Sequence, residues 1–217
     1  MACTVRGGVA VDVLTVLAGD PRSAAPVRGW DRRGGFETEG EAASARREED
    51  RKACAILGAQ PVWLPYGDAD YERHGTDAEI AVAVAEAVTG AGAVLLPGYP
   101  LRHSDHAWLA RLLARELVQS AHVGLYVEEP YAWRDRAAGP ASAPDWLERS
   151  VAFSPVRVGM LDRVAKWRAL RAYTTQLELL GLRRNLGANV YRLLWWETRT
   201  GGEAVAWLGM RSPLLPH

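Results

Sequence analysis

Apolar and polar positions along this chain switch repeatedly between the two-residue period of strands and the 3.6-residue period of helices. Val9-Ala-Val-Asp-Val-Leu-Thr-Val-Leu-Ala18 is rich in β-branched residues and stops at Gly19-Asp20-Pro21, which predicts a mostly buried strand closed by turn residues. Residues 20 to 37 are crowded with Pro, Gly, Arg and Asp around Trp30 and Phe36, and predict a long loop above the end of that strand. Thr38-Glu-Gly-Glu41 fits a capping box, in which the Thr hydroxyl accepts from a first-turn N–H and the Glu reaches back. A helix to about Leu57 should follow, with Gly58 as its left-handed stop and Pro61 barring extension. Gln60 to Leu64 reads as a short strand, Tyr66 to Arg73 as a polar loop, and Asp77 to Val88 as a helix with Ile80, Val84 and Val88 on one face.

The alternation continues. Ala93-Val-Leu-Leu96 predicts a strand, and a helix near Trp108 carries Leu109, Leu112, Leu113 and Leu117 at i, i+3, i+4 and i+8. His122 to Val127 predicts another strand, ending at Glu128-Glu129-Pro130-Tyr131. Pro140-Ala-Ser-Ala-Pro144 reads as a surface loop, and Leu161 to Leu180 as the longest helix, burying Leu170, Tyr173, Leu177 and Leu180. The remainder, through Trp195-Trp196 and Ala204 to Leu208, fits a helix or short strands equally well. Regular alternation of strand and helix predicts an α/β fold, a mostly parallel sheet with helices on both faces.

Composition narrows the partners. At 217 residues and 48% hydrophobic the chain is expected to form a single domain, 1–217, with a substantial core. Lys plus Arg balances Asp plus Glu at 26 each, so no positive excess is available for a nucleic-acid backbone or an anionic membrane surface. A small-molecule partner fits better. Cys3 and Cys54 are too few for a disulfide framework and match no zinc-ribbon spacing. With no run near the roughly 18 apolar residues of a membrane span and no signal-peptide pattern, a cytoplasmic protein is expected. Oligomeric state leaves no mark in the sequence.

The chain has no G-x-G-x-x-G after its first strand, no Walker-type G-K-[ST], no H-E-x-x-H, no paired C-x-x-C and no G-x-S-x-G elbow. What remains is His103-Ser104-Asp105-His106, at the handover from strand to helix where ligands of open α/β sheets bind. If the helix begins between the two histidines they need not face the same way, which suits a division of labour. One imidazole would bind a metal, while the other, oriented by Asp105, would donate a proton or stabilise an oxyanion. The bland alternative makes Ser104 or Asp105 a helix N-cap and the histidines bystanders.

Read together, several stretches resemble the PIG-L/LmbE-like deacetylases, zinc-dependent enzymes that remove N-acetyl groups from amino sugars. They are Val13-Leu-Thr-Val-Leu-Ala-Gly19-Asp-Pro, Arg46-Arg-Glu-Glu-Asp50-Arg-Lys-Ala53 with Leu57-Gly58, Asp68-Ala-Asp-Tyr71-Glu-Arg73, His103-Ser-Asp-His106, Glu129-Pro130-Tyr131, and Lys166 to Gln176. The resemblance implies a Rossmann-like fold and a metal hydrolase. It puts a zinc ligand on His106, stabilisation of the tetrahedral intermediate or protonation of the leaving amine on His103, and orientation of that imidazole on Asp105. Arg46 and Asp68 take the places that reach toward the sugar, each with a solvated helix-face or turn charge as its bland alternative. Zinc would lower the pKa of its bound water and polarise the amide carbonyl, and the hydroxide would attack.

The family's P-H-x-D-D motif, which supplies a second histidine ligand, an aspartate ligand and the general base, does not occur in this sequence. The first strand of the fold is therefore expected to be missing, the domain N-terminally truncated, and a misplaced start codon or a natural inactive truncation is the expected cause. A catalytic zinc needs about three protein ligands. His74, His122 and Cys54 fall on segments with no family role and Asp12 lies inside a strand, so the polypeptide as written is expected to bind zinc poorly and not to hydrolyse amides. Its competitors are a non-catalytic sugar-binding or interaction remnant of the same fold, and an unrelated nucleotide binder in which His-Ser-Asp-His only caps a helix. Specificity is expected in loops 20 to 37 and 130 to 145, where Trp30, Trp133 and Trp146 would stack on a sugar face or simply cover the core.

Overall fold

A computed structural model describes residues 5, 7–117, 122–128, 131–134, 151–180 and 203–208. The chain divides into two compact units, Met1–Thr76 with Val158–Arg192 and Asp77–Arg157 with Leu193–His217. Both are mixed α/β, and more of the paired strand residues lie in parallel ladders than in antiparallel ones.

In the first unit, β1 (Asp12–Thr15) pairs in parallel with β2 (Gln60–Trp63), and the crossover between them contains α1 (Gly29–Arg33) and α2 (Glu39–Leu57). β1 is shorter than the apolar run that predicts it, because β2 offers only four paired residues before Leu64-Pro65. Backbone contact continues beyond the ladder, with Gly19 N–H donating to the Tyr66 carbonyl at 3.0 Å. The predicted loop 20–37 carries α1 within it. α2 begins as its sequence dictates: the Thr38 hydroxyl accepts from Glu41 N–H, the Glu41 carboxylate accepts from Thr38 N–H, and Gly58 closes the helix at φ 72°. Ala42, Ala43, Ala53 and Cys54 on its inner face are buried.

The chain returns to this unit as α6 (Met160–Leu170) and α7 (Thr174–Leu179), two helices where the apolar spacing predicts one. Tyr173 leaves helical geometry (φ −83°, ψ 63°). The new first turn it exposes is captured by buried Glu49 of α2, which accepts from Thr175 N–H, Thr175 Oγ1 and Thr174 Oγ1 at 2.8, 2.8 and 2.9 Å. Free first-turn N–H groups favour a carboxylate, and the β-branched Thr174-Thr175 pair loses little by leaving a continuous helix. Leu170, Tyr173, Leu177 and Leu180 are half-buried rather than fully covered.

In the second unit, four strands run in the order β3 (Ala93–Tyr99), β4 (His122–Val127), β6 (Glu203–Trp207), β5 (Ser154–Val156). β3 and β4 are parallel; β6 is antiparallel to both β4 and β5, which settles 204–207 as strand. β3 continues past Leu96 through Pro97 and Gly98, since among the described residues it lies at the edge of its sheet, where a residue without an N–H is tolerated. Gly98 is required there: a Cβ would lie 2.5 Å from Leu125 Cβ. α3 (Asp77–Ala87) buries Ile80 and Val84, and α4 (Ser104–Leu117) buries Leu113 and Leu117, while Leu109 and Leu112 are half-buried. α5 (Tyr131–Arg134) follows β4. Glu129-Pro130, Pro140–Pro144, Trp146 and Trp195-Trp196, for which the sequence raises expectations, lie outside the described residues. Among the described residues, no helix is long and apolar enough to cross a membrane.

Replacing Thr38 by Ala is expected to lower stability by about 1 kcal/mol, because it removes one side of the capping box. Thr38→Ser should retain most of it. Urea denaturation followed by far-UV circular dichroism checks the pair; equal stability of all three proteins would remove the cap from the account of α2.

Candidate functional site

Each unit carries one polar group of sequence-predicted residues. In the second unit, α4 starts at Ser104, between the two histidines, but their rings still lie side by side, 4.9 Å between centroids and 33° between planes. His103 occupies the N-cap place: its carbonyl accepts from Ala107 N–H at 3.0 Å, and its Nδ1 accepts from Asp105 N–H at 3.3 Å. The capping assigned by sequence to Ser104 or Asp105 is thus made by a histidine. Asp105 is buried, and its carboxylate oxygen lies 3.8 Å from His103 Nδ1. That is beyond hydrogen-bond range.

His106 is held differently. Its Nδ1 meets the Oε1 of Glu128, a side chain only 3% exposed at the end of β4. The other Glu128 oxygen accepts from Leu101 N–H at 3.1 Å. Leu101 sits at φ 53°, a left-handed conformation that costs a non-glycine residue about 1 kcal/mol or more. One buried carboxylate therefore fixes both the imidazole and the strained turn in front of it. With Nδ1 engaged, Nε2 is the His106 atom left for a ligand, and a carboxylate on the far nitrogen is the usual support of a metal-binding histidine. Sequence reading missed Glu128, noting only that a strand ends there; the available signal was a carboxylate at the carboxyl end of a strand beside the one that feeds His103-Ser-Asp-His106. Burial beside Glu128 also pushes the Tyr126 phenol upward, desolvation being the main cause.

Among the described residues, no group of three or more His, Cys, Asp or Glu side chains is placed to hold a metal ion. Cys54 is buried, and that burial raises its thiol above the ordinary value.

In the first unit, Arg46 and Asp68 line a cleft of about 540 Å³ bounded by the end of β1, the inner face of α2 and loop 65–74. Arg46 Nη2 is ion-paired with Asp31 Oδ1, and Tyr71 donates to Asp31 Oδ2 at 2.8 Å. Tyr71 oxygen in turn accepts from Arg28 N–H at 3.2 Å. Asp31, only 3% exposed, thereby ties α1, α2 and the 66–73 loop together. Burial, reinforced by the Asp31 carboxylate, raises the Tyr71 phenol to about 12. Asp68 Oδ1 accepts from Asp70 N–H at 2.9 Å. Asp31 is the second residue the sequence reading passed over, lost in what looked like loop. Trp30, a candidate sugar platform, is pinned elsewhere: its Nε1 donates to Gln176 at 3.1 Å and Arg33 stacks on its ring. The side chain of Trp133 and all of Trp146 lie outside the described residues.

No protein-family model matches the chain, and no curated protein matches it. Solved structures do. The A40926 pseudoaglycone deacetylase Dbv21 is 26% identical, with a TM-score of 0.73 over 100% of this chain and 92% of that one. A triple mutant of a deacetylase in the teicoplanin biosynthetic pathway superposes at TM-score 0.76 and 22% identity, covering 95% of this chain and 88% of that one. The zinc-inhibited form of teicoplanin deacetylase Orf2 gives 0.73 at 19% identity, covering 98% and 91%. The chain has an N-deacetylase-like fold.

Proposed function

We propose that this protein is a zinc-dependent hydrolase that removes an N-acetyl group from an amino sugar or glycoconjugate, inactive in its 217-residue form. Its likeness along nearly its whole length to solved deacetylases carries this reading. The chemistry of the described side chains agrees with it. His106 offers Nε2 as a single metal ligand, steadied by Glu128. His103, beside it, offers its own Nε2 to a leaving amine or a developing oxyanion, in a position set by the helix terminus. Arg46, with Asp31 and Tyr71 holding it in place, and Asp68 form the sugar-facing wall. The domain is read as one deacetylase-type domain, soluble and cytoplasmic.

Because one histidine does not make a catalytic zinc site, the polypeptide as written is proposed to be inactive toward amides. A second reading, a sugar-binding remnant without chemistry, rests on the cleft lined by Arg46 and Asp68.

Elemental analysis of the 217-residue polypeptide is expected to find well under one zinc per chain, and N-acetylglucosamine derivatives should release no acetate. A form extended by the in-frame upstream sequence, should that encode P-H-x-D-D, is expected to gain about one zinc and to release acetate. In that form Glu128→Gln should weaken zinc by roughly 10–100-fold. Acetate release by the unextended chain would sink the inactivity; failure of both forms to bind metal would leave only the remnant reading.

Burial of the Tyr71 phenol, reinforced by its bond to Asp31, gives a separate pH signature. Since folding raises this phenol to about 12, the folded protein binds the proton more tightly than the unfolded chain. That contribution is present in full below about pH 10 and is lost as pH rises toward 12. Tyr71→Phe should flatten the fall in stability over this window and remove one late-titrating phenol from the absorbance near 295 nm. An unchanged titration would show that the Tyr71 phenol is not raised by folding.

A further inference from the structure

The cleft of the first unit carries an imbalance of charge that its overall neutral chain does not. Six carboxylates line it against three guanidiniums, with His74 beside them. Each guanidinium is already engaged in the wall. Arg46 is paired with Asp31, and Arg22 Nε lies 3.3 Å from Asp20 Oδ1. Arg47 Nη2 donates to the Gly19 carbonyl at 2.6 Å, its buried Nε has no hydrogen-bond partner, and it lies in the field of Asp20 and Asp50. A cation committed to a wall carboxylate has little attraction left for an anionic ligand. The surplus carboxylates include Asp50, which accepts from Thr15 and Trp63, and Glu39, which accepts from Ser23. Tyr66, Tyr71 and Tyr173 add hydroxyl-bearing rings to the same cleft.

From this we infer that the cleft takes a neutral or amine-bearing polyol and rejects anionic sugars, holding the free, protonated amino sugar more tightly than its N-acetyl form. The inference rests on the proposed function for the identity of the cleft as a sugar site, and adds the charge class of what enters it. The physical basis is Coulombic. A phosphate meets a wall of net negative charge, six carboxylates against three guanidiniums among the described residues, whereas an ammonium gains from each nearby carboxylate. Amide hydrolysis exchanges a neutral N-acetyl group and water for acetate and an amine that is protonated near neutral pH. The cleft would therefore retain the sugar product and expel the acid.

The test titrates the full chain with glucosamine, N-acetylglucosamine and N-acetylglucosamine 6-phosphate, followed by calorimetry at low ionic strength and again near 1 M salt. Glucosamine is expected to bind tightest and the phosphate weakest, by roughly tenfold relative to N-acetylglucosamine. The spread should shrink at high salt. Glu72→Gln, which removes one exposed wall charge, should narrow it at low salt. Equal or tighter binding of the phosphate would overturn the charge selection while leaving the sugar site standing. Absence of binding by all three sugars would overturn both the inference and the sugar-site reading beneath it.

Discussion

A carboxylate taken out of water is costly unless donors replace its hydration, and three such groups set the positions on which this protein's polar sites depend. Asp31, Glu49 and Glu128 are each 5% exposed or less, and each has both carboxylate oxygens engaged in hydrogen bonds or ion pairs. Their donors come from different elements, so satisfying one carboxylate fixes several segments at once. Asp31 joins α1, α2 and the 66–73 loop; Glu49 joins α2 to the start of α7; Glu128 joins the end of β4 to α4 and to the turn that precedes it.

These ties have chemical consequences. Arg46 lines the cleft and is held there by its ion pair with Asp31. His106 is ordered by Glu128 and keeps one ring nitrogen for a ligand. His103 is ordered by the helix terminus instead, with its Nδ1 turned to a backbone N–H, so the two adjacent imidazoles differ in what holds them.

Several sequence expectations failed where long-range contacts overrode local pattern. Leu161–Leu180 has helical periodicity throughout, but Glu49 recruits Thr174 and Thr175 from 125 and 126 residues away and breaks the helix at Tyr173. Loop 20–37 has turn composition, yet it holds a short helix anchored by its one buried aspartate. The strand predicted over Ala93–Leu96 runs on through Pro97 and Gly98 to Tyr99; among the described residues it lies at the edge of its sheet, and the missing side chain of Gly98 is needed against Leu125.

What the sequence determined by itself is what operates within a turn or two of chain. The Thr38/Glu41 cap, the Gly58 stop, the Ile80/Val84 face, the strand His122–Val127 and the placement of His-Ser-Asp-His at a strand-to-helix junction all follow from spacings of about four residues and intrinsic propensities. Only the tertiary structure decided which carboxylate serves which partner: Glu128 for His106, 22 residues apart, and Asp31 for Arg46 and Tyr71, 15 and 40 apart. The value of such a pair depends on burial and on donors contributed by distant segments. Neither quantity has a period along the chain, so both appear only once the chain has folded.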